Sequence, residues 1–204
     1  MNVYFNPNGV GDVLFVTTNG AEIKNKNHSQ SGDVVRLYDN EDNRTVGFNI
    51  FSATKHFAIE GNGVIDVTDE LVQSINNLLN ASGYNETLEF DPRPLFIVGH
   101  VKSMEKHSDA DKLNVCQVDI GDETLQIVCG APNVDTGQNV VVARVGAVMP
   151  GGLLIKEAEL RGVKSSGMIC SAKELNLPNA PKEKGILVLE EGYPTGSEFT
   201  LKKN

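Results

Sequence analysis

The sequence reads as mainly β, with a mixed α+β part ahead of a β-barrel or sandwich. Three observations carry this. From Leu95 onward, short β-rich segments alternate with turns that contain Gly, Pro or Asp. Ahead of Leu95, one stretch switches to helical spacing, with Leu71, Ile75, Leu78 and Leu79 in register. Between the two stand Pro92 and Pro94, each of which fixes its own φ and restricts the residue before it, as in a linker. The expected division is an α+β domain over residues 1–90 and a β domain over residues 95–204.

The first domain opens with a strand at residues 13–18, set between Gly11-Asp12 and Asn19-Gly20. Residues 34–38 and 45–50 form a hairpin around the polar turn 39–43. A helix follows, capped at its start by Thr68 or Asp69 and stopped by Gly83, the glycine expected just beyond a helix end. In the second domain, strands are expected at residues 95–101, 112–120, 123–129, 139–145, 153–159, 168–172 and 186–189. A short helix is expected at 172–176.

Composition excludes several classes. No apolar run approaches the roughly 20 residues of a membrane helix. The first residues, Met1-Asn2-Val3-Tyr4-Phe5, have neither a basic nor an apolar signal region, so a cytoplasmic protein is expected. Cys116, Cys129 and Cys170 are too few and too widely spaced for a disulfide framework or a zinc knuckle, and read as buried thiols. The net charge of −9 is unevenly spread. Residues 1–94 carry 6 Lys/Arg against 13 Asp/Glu, and residues 95–204 carry 12 against 14. The second part can therefore present a local basic surface, although the chain is no generic polyanion binder.

Catalytic signatures are missing. Gly9-Val10-Gly11 lacks the third glycine of a dinucleotide loop, no Gly-rich turn leads to a P-loop lysine, and no serine sits in a G-x-S-x-G elbow. His28, His56, His100 and His107 are scattered. Asp109 and Asp111 resemble the start of a calcium loop, but Asn114 replaces its glycine and Ile120 its closing glutamate. That segment reads instead as a polar turn in which Asp side chains cap backbone N–H groups. Neither metal nor cofactor is expected.

Four ordered segments carry a resemblance. They are Lys106-His107-Ser108-Asp109-Ala110-Asp111-Lys112-Leu113, then Gln126-Ile127-Val128-Cys129-Gly130-Ala131-Pro132-Asn133, then Gly146-Ala147-Val148-Met149-Pro150-Gly151-Gly152, and finally the stretch from Leu160-Arg161-Gly162-Val163-Lys164-Ser165-Ser166-Gly167-Met168 through Cys170 to Leu175. From residue 95 to about 200 the chain resembles the tRNA-binding domain of the bacterial phenylalanyl-tRNA synthetase β subunit. The same domain occurs in methionyl-tRNA synthetases and in stand-alone tRNA-binding proteins. As a whole the chain is similar to YtpR-type proteins, which join this domain to a separate N-terminal module. It is too short for a synthetase β subunit, and it departs from the family pattern at Ser108, where proline is usual.

The resemblance implies an OB-type barrel that binds tRNA without chemistry. It places Lys112, Ser165 and Met168 at positions implicated in tRNA contact. Side-chain chemistry adds Arg161, Lys164 and Lys173 as phosphate partners and Ser166 as a hydroxyl donor, with Gly167 permitting close backbone approach. Taken singly, each cation also reads as a solvated surface charge, Met168 as a strand core residue, and Arg161 as a partner of Glu157 or Glu159.

Aromatic content narrows the mode of recognition. The second domain holds only Phe96, Tyr193 and Phe199, too few for the stacking platforms of single-strand binders. Folded RNA read by shape, phosphate and 2′-OH contacts fits better. The expected partner is tRNA, with an aminoacyl-tRNA synthetase or a second copy of the chain as further partners. The rival reading is an interaction module that docks on a synthetase or another translation factor without RNA affinity. An enzyme centred on the first domain finds no support in its residues.

Overall fold

Apolar residues at alternate positions, as in Val3 and Phe5 or Leu14 and Val16, set the first sheet. The computed structural model describes residues 1–18 and 25–201, so the turn expected at Asn19-Gly20 lies outside the described residues. The chain divides into two compact units, Met1–Pro92 and Arg93–Asn204.

The first unit contains β1 (Asn2–Phe5), β2 (Val13–Thr17), β3 (Lys26–Ser31), β4 (Val34–Asp39), β5 (Thr45–Phe51), the short α1 (Ala53–His56), β6 (Gly63–Ile65) and α2 (Asp69–Ala81). Its sheet runs β3-β4-β5-β2-β1-β6, with every pair antiparallel. Val72, Ile75 and Leu79 of α2 join Leu14, Phe48 and Ile50 in one core. The helix is capped by Thr68, whose hydroxyl accepts the Leu71 N–H at 3.2 Å. It ends on Gly83 at φ 84, with Gly83 N bonded to Asn80 O and Tyr84 N to Leu79 O, a Schellman closure. The strands at 13–17, 34–39 and 45–51 and the helix agree with expectation. Strands β1, β3 and β6 and helix α1 are additional to it.

The second unit contains β7 (Phe96–Lys106), β8 (Asn114–Asp119), β9 (Thr124–Cys129), β10 (Asn139–Ala143), β11 (Glu157–Leu160), β12 (Val163–Ser166), β13 (Met168–Ile169) and β14 (Val188–Leu189). The long β7 pairs first with β10, over residues 96–100, and then with β8 from His100 onward, and a bulge between Val101 and Ser103 bends it near the start of the β8 ladder. The ladder runs β13-β10-β7-β8-β9. Strands β12 and β13, separated only by Gly167, both pack on β9, while β13 also pairs with β10, so the ring closes. This circular order is that of an OB barrel, in which β12 and β13 together form the fifth strand.

Ile97, Val101, Cys116, Val118, Ile127, Val140 and Val142 fill the barrel. The alternate residues of β10, Val141 and Ala143, lie under a second cluster with Ala147, Met149, Cys170 and Leu175, which explains why this strand is buried on both faces.

Two expectations need correction. The strand expected at 153–159 begins only at Glu157 and turns back at Arg161 into β12. The helix expected at 172–176 is a single turn. Ser171 and Glu174 cap each other there, Leu175 N bonds to Ser171 O, and Asn176 at φ 51 stops the coil.

Candidate nucleic-acid interface

Two loops of this barrel are joined by side chains. The first is the turn at residues 107–113, between β7 and β8. The second is the tip of the β11–β12 hairpin, within the connection from β10 to the fifth strand. At the tip, Arg161 and Gly162 have φ of 47° and 83°, both positive, as a two-residue type I′ loop requires. An arginine in this left-handed region costs on the order of 1 kcal/mol. Its guanidinium is held where it stands, because Nη1 donates to the Asp109 carbonyl oxygen at 2.6 Å.

His107 makes the second link. It is 5% exposed. Its Nδ1 accepts the Asp109 N–H at 3.0 Å, so Nε2 carries the hydrogen, and Nε2 donates to Leu160 O at 2.9 Å. The turn is closed by His107 N to Leu113 O and Leu113 N to Ala110 O. The imidazole of His107, rather than the aspartate side chains expected from the sequence, thus caps this turn. Arg161 takes a backbone carbonyl instead of Glu157 or Glu159.

The residues expected at the site differ in their settings. Lys112 is exposed on the 107–113 turn, and Lys164 is exposed on β12, opposite Glu159. Lys106, exposed at the end of β7, borders the same turn and was not singled out from the sequence. Ser166 is on the hairpin too, but its hydroxyl donates to the Glu157 carboxylate at 2.9 Å. With Asp109, Asp111, Glu157 and Glu159 interspersed, the surface is mixed in sign rather than uniformly basic.

Ser165 and Gly167 serve the fold. Ser165 is 3% exposed; its Oγ accepts the Val128 N–H at 3.0 Å and donates to Gly167 O at 3.4 Å. It replaces a ladder bond where β12 meets β9, assisted by Gln126 Nε2 donating to Lys164 O at 2.8 Å. A hydroxyl so placed is not free for a ribose or phosphate. At Gly167, φ is 118° and an added Cβ would lie 2.9 Å from Ala143 O, so the close approach is to the neighbouring strand and not to a ligand. Met168 is half-buried against the outer cluster, which also takes Leu175 from the turn that carries the exposed Lys173.

Asn133 is a further residue whose part the sequence hid. Its side chain bonds both backbone groups of Ile186, at 3.0 and 2.8 Å, and fastens the C-terminal segment as a strand would. Burial pushes the Cys116 thiol up to about 11 and the Cys170 thiol up to about 12, so both are unreactive at neutral pH.

The strand order and the joined loops define an OB-type module, a class that takes ligands across its second and third strands and the loops following its first and fourth. These are the two loops tied by His107 and Arg161. Residues 96–198 match the family model described as "Putative tRNA binding domain", and residues 21–91 match "Domain of unknown function (DUF4479)". The chain is 56% identical to the "Putative tRNA-binding protein YtpR" of Bacillus subtilis (strain 168), over 98% of its own length and 99% of that protein. A segment of 107 residues, 50% of the chain, is 60% identical to the phenylalanine–tRNA ligase beta subunit of Staphylococcus aureus (strain MRSA252), where it matches 13% of the length. Among solved structures, a MetRS related protein from Pyrococcus horikoshii aligns with 52% of this chain and 88% of its own, at 23% identity and a TM-score of 0.39. The chain belongs to the tRNA-binding-domain family, and it shares its full two-part arrangement with the Bacillus protein.

Proposed function

We propose that the chain binds folded tRNA without catalysing a reaction on it, and that the contact is made by the joined 107–113 turn and hairpin tip. The observation that carries this reading is the pairing of those two loops on a barrel whose family is described by tRNA binding. Lys112 and Lys164 supply point charges for phosphates, with Lys106 beside them. Lys173 and the exposed part of Met168 extend the surface along the fifth strand.

The scarcity of stacking residues favours a folded ligand. Phe96 and Phe199 pack on the outer cluster, leaving Tyr193, at 47% exposure, as the one exposed aromatic ring among the described residues of the second unit. Sequence-tolerant binding of single strands depends on such rings. No helix among the described residues is long and apolar enough to cross a membrane, and the cytoplasm, where tRNA is used, is the proposed location. A synthetase is the proposed protein partner, a reading supported by the segment of the Staphylococcus ligase subunit that is 60% identical to half of this chain.

The test is a competition binding series at fixed salt between unfractionated bacterial tRNA and unstructured RNA of equal length. Preference for tRNA is expected. Equal or tighter binding of the unstructured RNA contradicts recognition by shape, and no binding of either returns the barrel to protein docking.

A further inference from the structure

The sequence suggests Arg161 as a two-pronged phosphate ligand, but one prong is already committed to Asp109 O. His107, neutral and buried, offers nothing to an RNA directly. Yet these two side chains hold together the two loops on which an OB barrel receives its ligand. They span 52 and 53 residues of sequence, from Arg161 to Asp109 and from His107 to Leu160. The Arg161 backbone meanwhile sits in a conformation that glycine or asparagine would adopt more readily. Strain that persists because surrounding structure fixes it is a mark of functional segments.

Building on the tRNA-binding reading, we infer that His107 and Arg161 are positioning residues that lock the 107–113 turn to the hairpin tip, so that Lys112 and Lys164 meet the RNA as one preformed surface. Without the lock Lys112 still reaches a phosphate, but its turn must be ordered on binding. That ordering cost lowers affinity and leaves the number of neutralised phosphates unchanged.

The experiment uses the full chain, unfractionated bacterial tRNA as probe, and the variants His107→Ala, His107→Gln, Arg161→Gly and Lys112→Ala. Amide exchange across residues 108–113 is followed in the free proteins. Arg161→Gly relieves the left-handed strain, so it is expected to fold at least as stably as the parent. It should nevertheless exchange faster across 108–113 and bind tRNA about tenfold more weakly, within the range found for coupled neighbours. Its salt slope should match the parent's. His107→Ala should show the same faster exchange and weaker binding at an unchanged salt slope, with some loss of stability because it empties a buried, hydrogen-bonded site. His107→Gln, whose amide nitrogen can stand where Nε2 stands, should recover much of the loss. In a Lys112→Ala background the Arg161 substitution should cost little more, because the two act through the same contact.

A salt slope lower by about 0.7–0.9 in Arg161→Gly would make Arg161 a direct phosphate ligand and overturn the positioning role. Unchanged exchange at 108–113, or additive losses in the double variant, overturn it as well. A parent that binds no tRNA overturns the functional reading together with this inference, whereas a parent that binds beside indifferent variants overturns this inference alone.

Discussion

Ser165 Oγ accepts the backbone N–H of Val128 at 3.0 Å, across 37 residues of sequence, at the seam where β12 meets β9. The bond stands in for the ladder bond that a regular strand pair would make. Removing it leaves the Val128 N–H without its partner. Ser165→Ala is therefore expected to lower stability by about 1–2 kcal/mol, within the range for an unsatisfied buried donor. Urea unfolding measures this. At temperatures where the variant is folded, tRNA affinity should match the parent's. A large affinity loss with unchanged stability would restore Ser165 as an RNA contact.

Gly167 bends the fifth strand so that its first half faces β9 and its second half pairs with β10. Gly167→Ala forces a side chain into the left-handed region and against Ala143 O, and should cost about 2–3 kcal/mol. Gly162→Ala has a positive φ but open space around its Cβ, and should cost only about 1 kcal/mol. Thermal unfolding of the two variants, side by side, checks the ranking.

The buried thiols predict a loss of stability in base. Burial raises Cys116 from 9.0 to about 11 and Cys170 from 9.0 to about 12. The folded state therefore keeps these protons after the unfolded chain has released its own. Their contribution is fully present below pH 9 and is lost as pH rises from there through the folded values. Urea midpoints between pH 8 and 11 should fall, and Cys170→Ala should fall less steeply. Equal steepness in the variant would exclude this thiol as a source of the slope.

Along the chain, the boundary between the two compact units falls between Pro92 and Arg93. We propose that residues 93–204 fold without the first unit, since they hold their own barrel core. Expressed alone, this fragment should be soluble and unfold in one cooperative transition. An insoluble or molten fragment contradicts the proposal.

Where apolar spacing carried the information, the sequence was readable. Helix α2 was legible from its period, Thr68 and Gly83, and the strands that fill the barrel from runs such as Asn139–Ala143. Strand β3, Lys-Asn-His-Ser-Gln-Ser, has no apolar alternation because it is an exposed edge, and it left no trace. The hairpin of β11 and β12 escaped for the same reason, being mostly exposed and polar. Within the proposed site, Lys112 and Lys164 are legible as cations, and both are exposed. The hydroxyl of Ser165 was not, since a serine that closes a barrel seam and one that meets a ribose look alike in sequence. The part played by His107 was equally hidden, because its partner Leu160 is brought near only by the closed barrel.

Lys112 stands at the centre of the proposed surface, exposed on the turn that His107 and Arg161 fix in place. The most direct measurement is tRNA affinity across a salt series for the parent and for Lys112→Ala. The parent should bind with a linear dependence of log K on log salt, and the variant should bind more weakly with a slope smaller by about 0.7–0.9, the share of one phosphate. Thermal stability should be unchanged, because this side chain is on the surface. A variant with the parent's affinity and slope at every salt concentration would contradict the placement of the site.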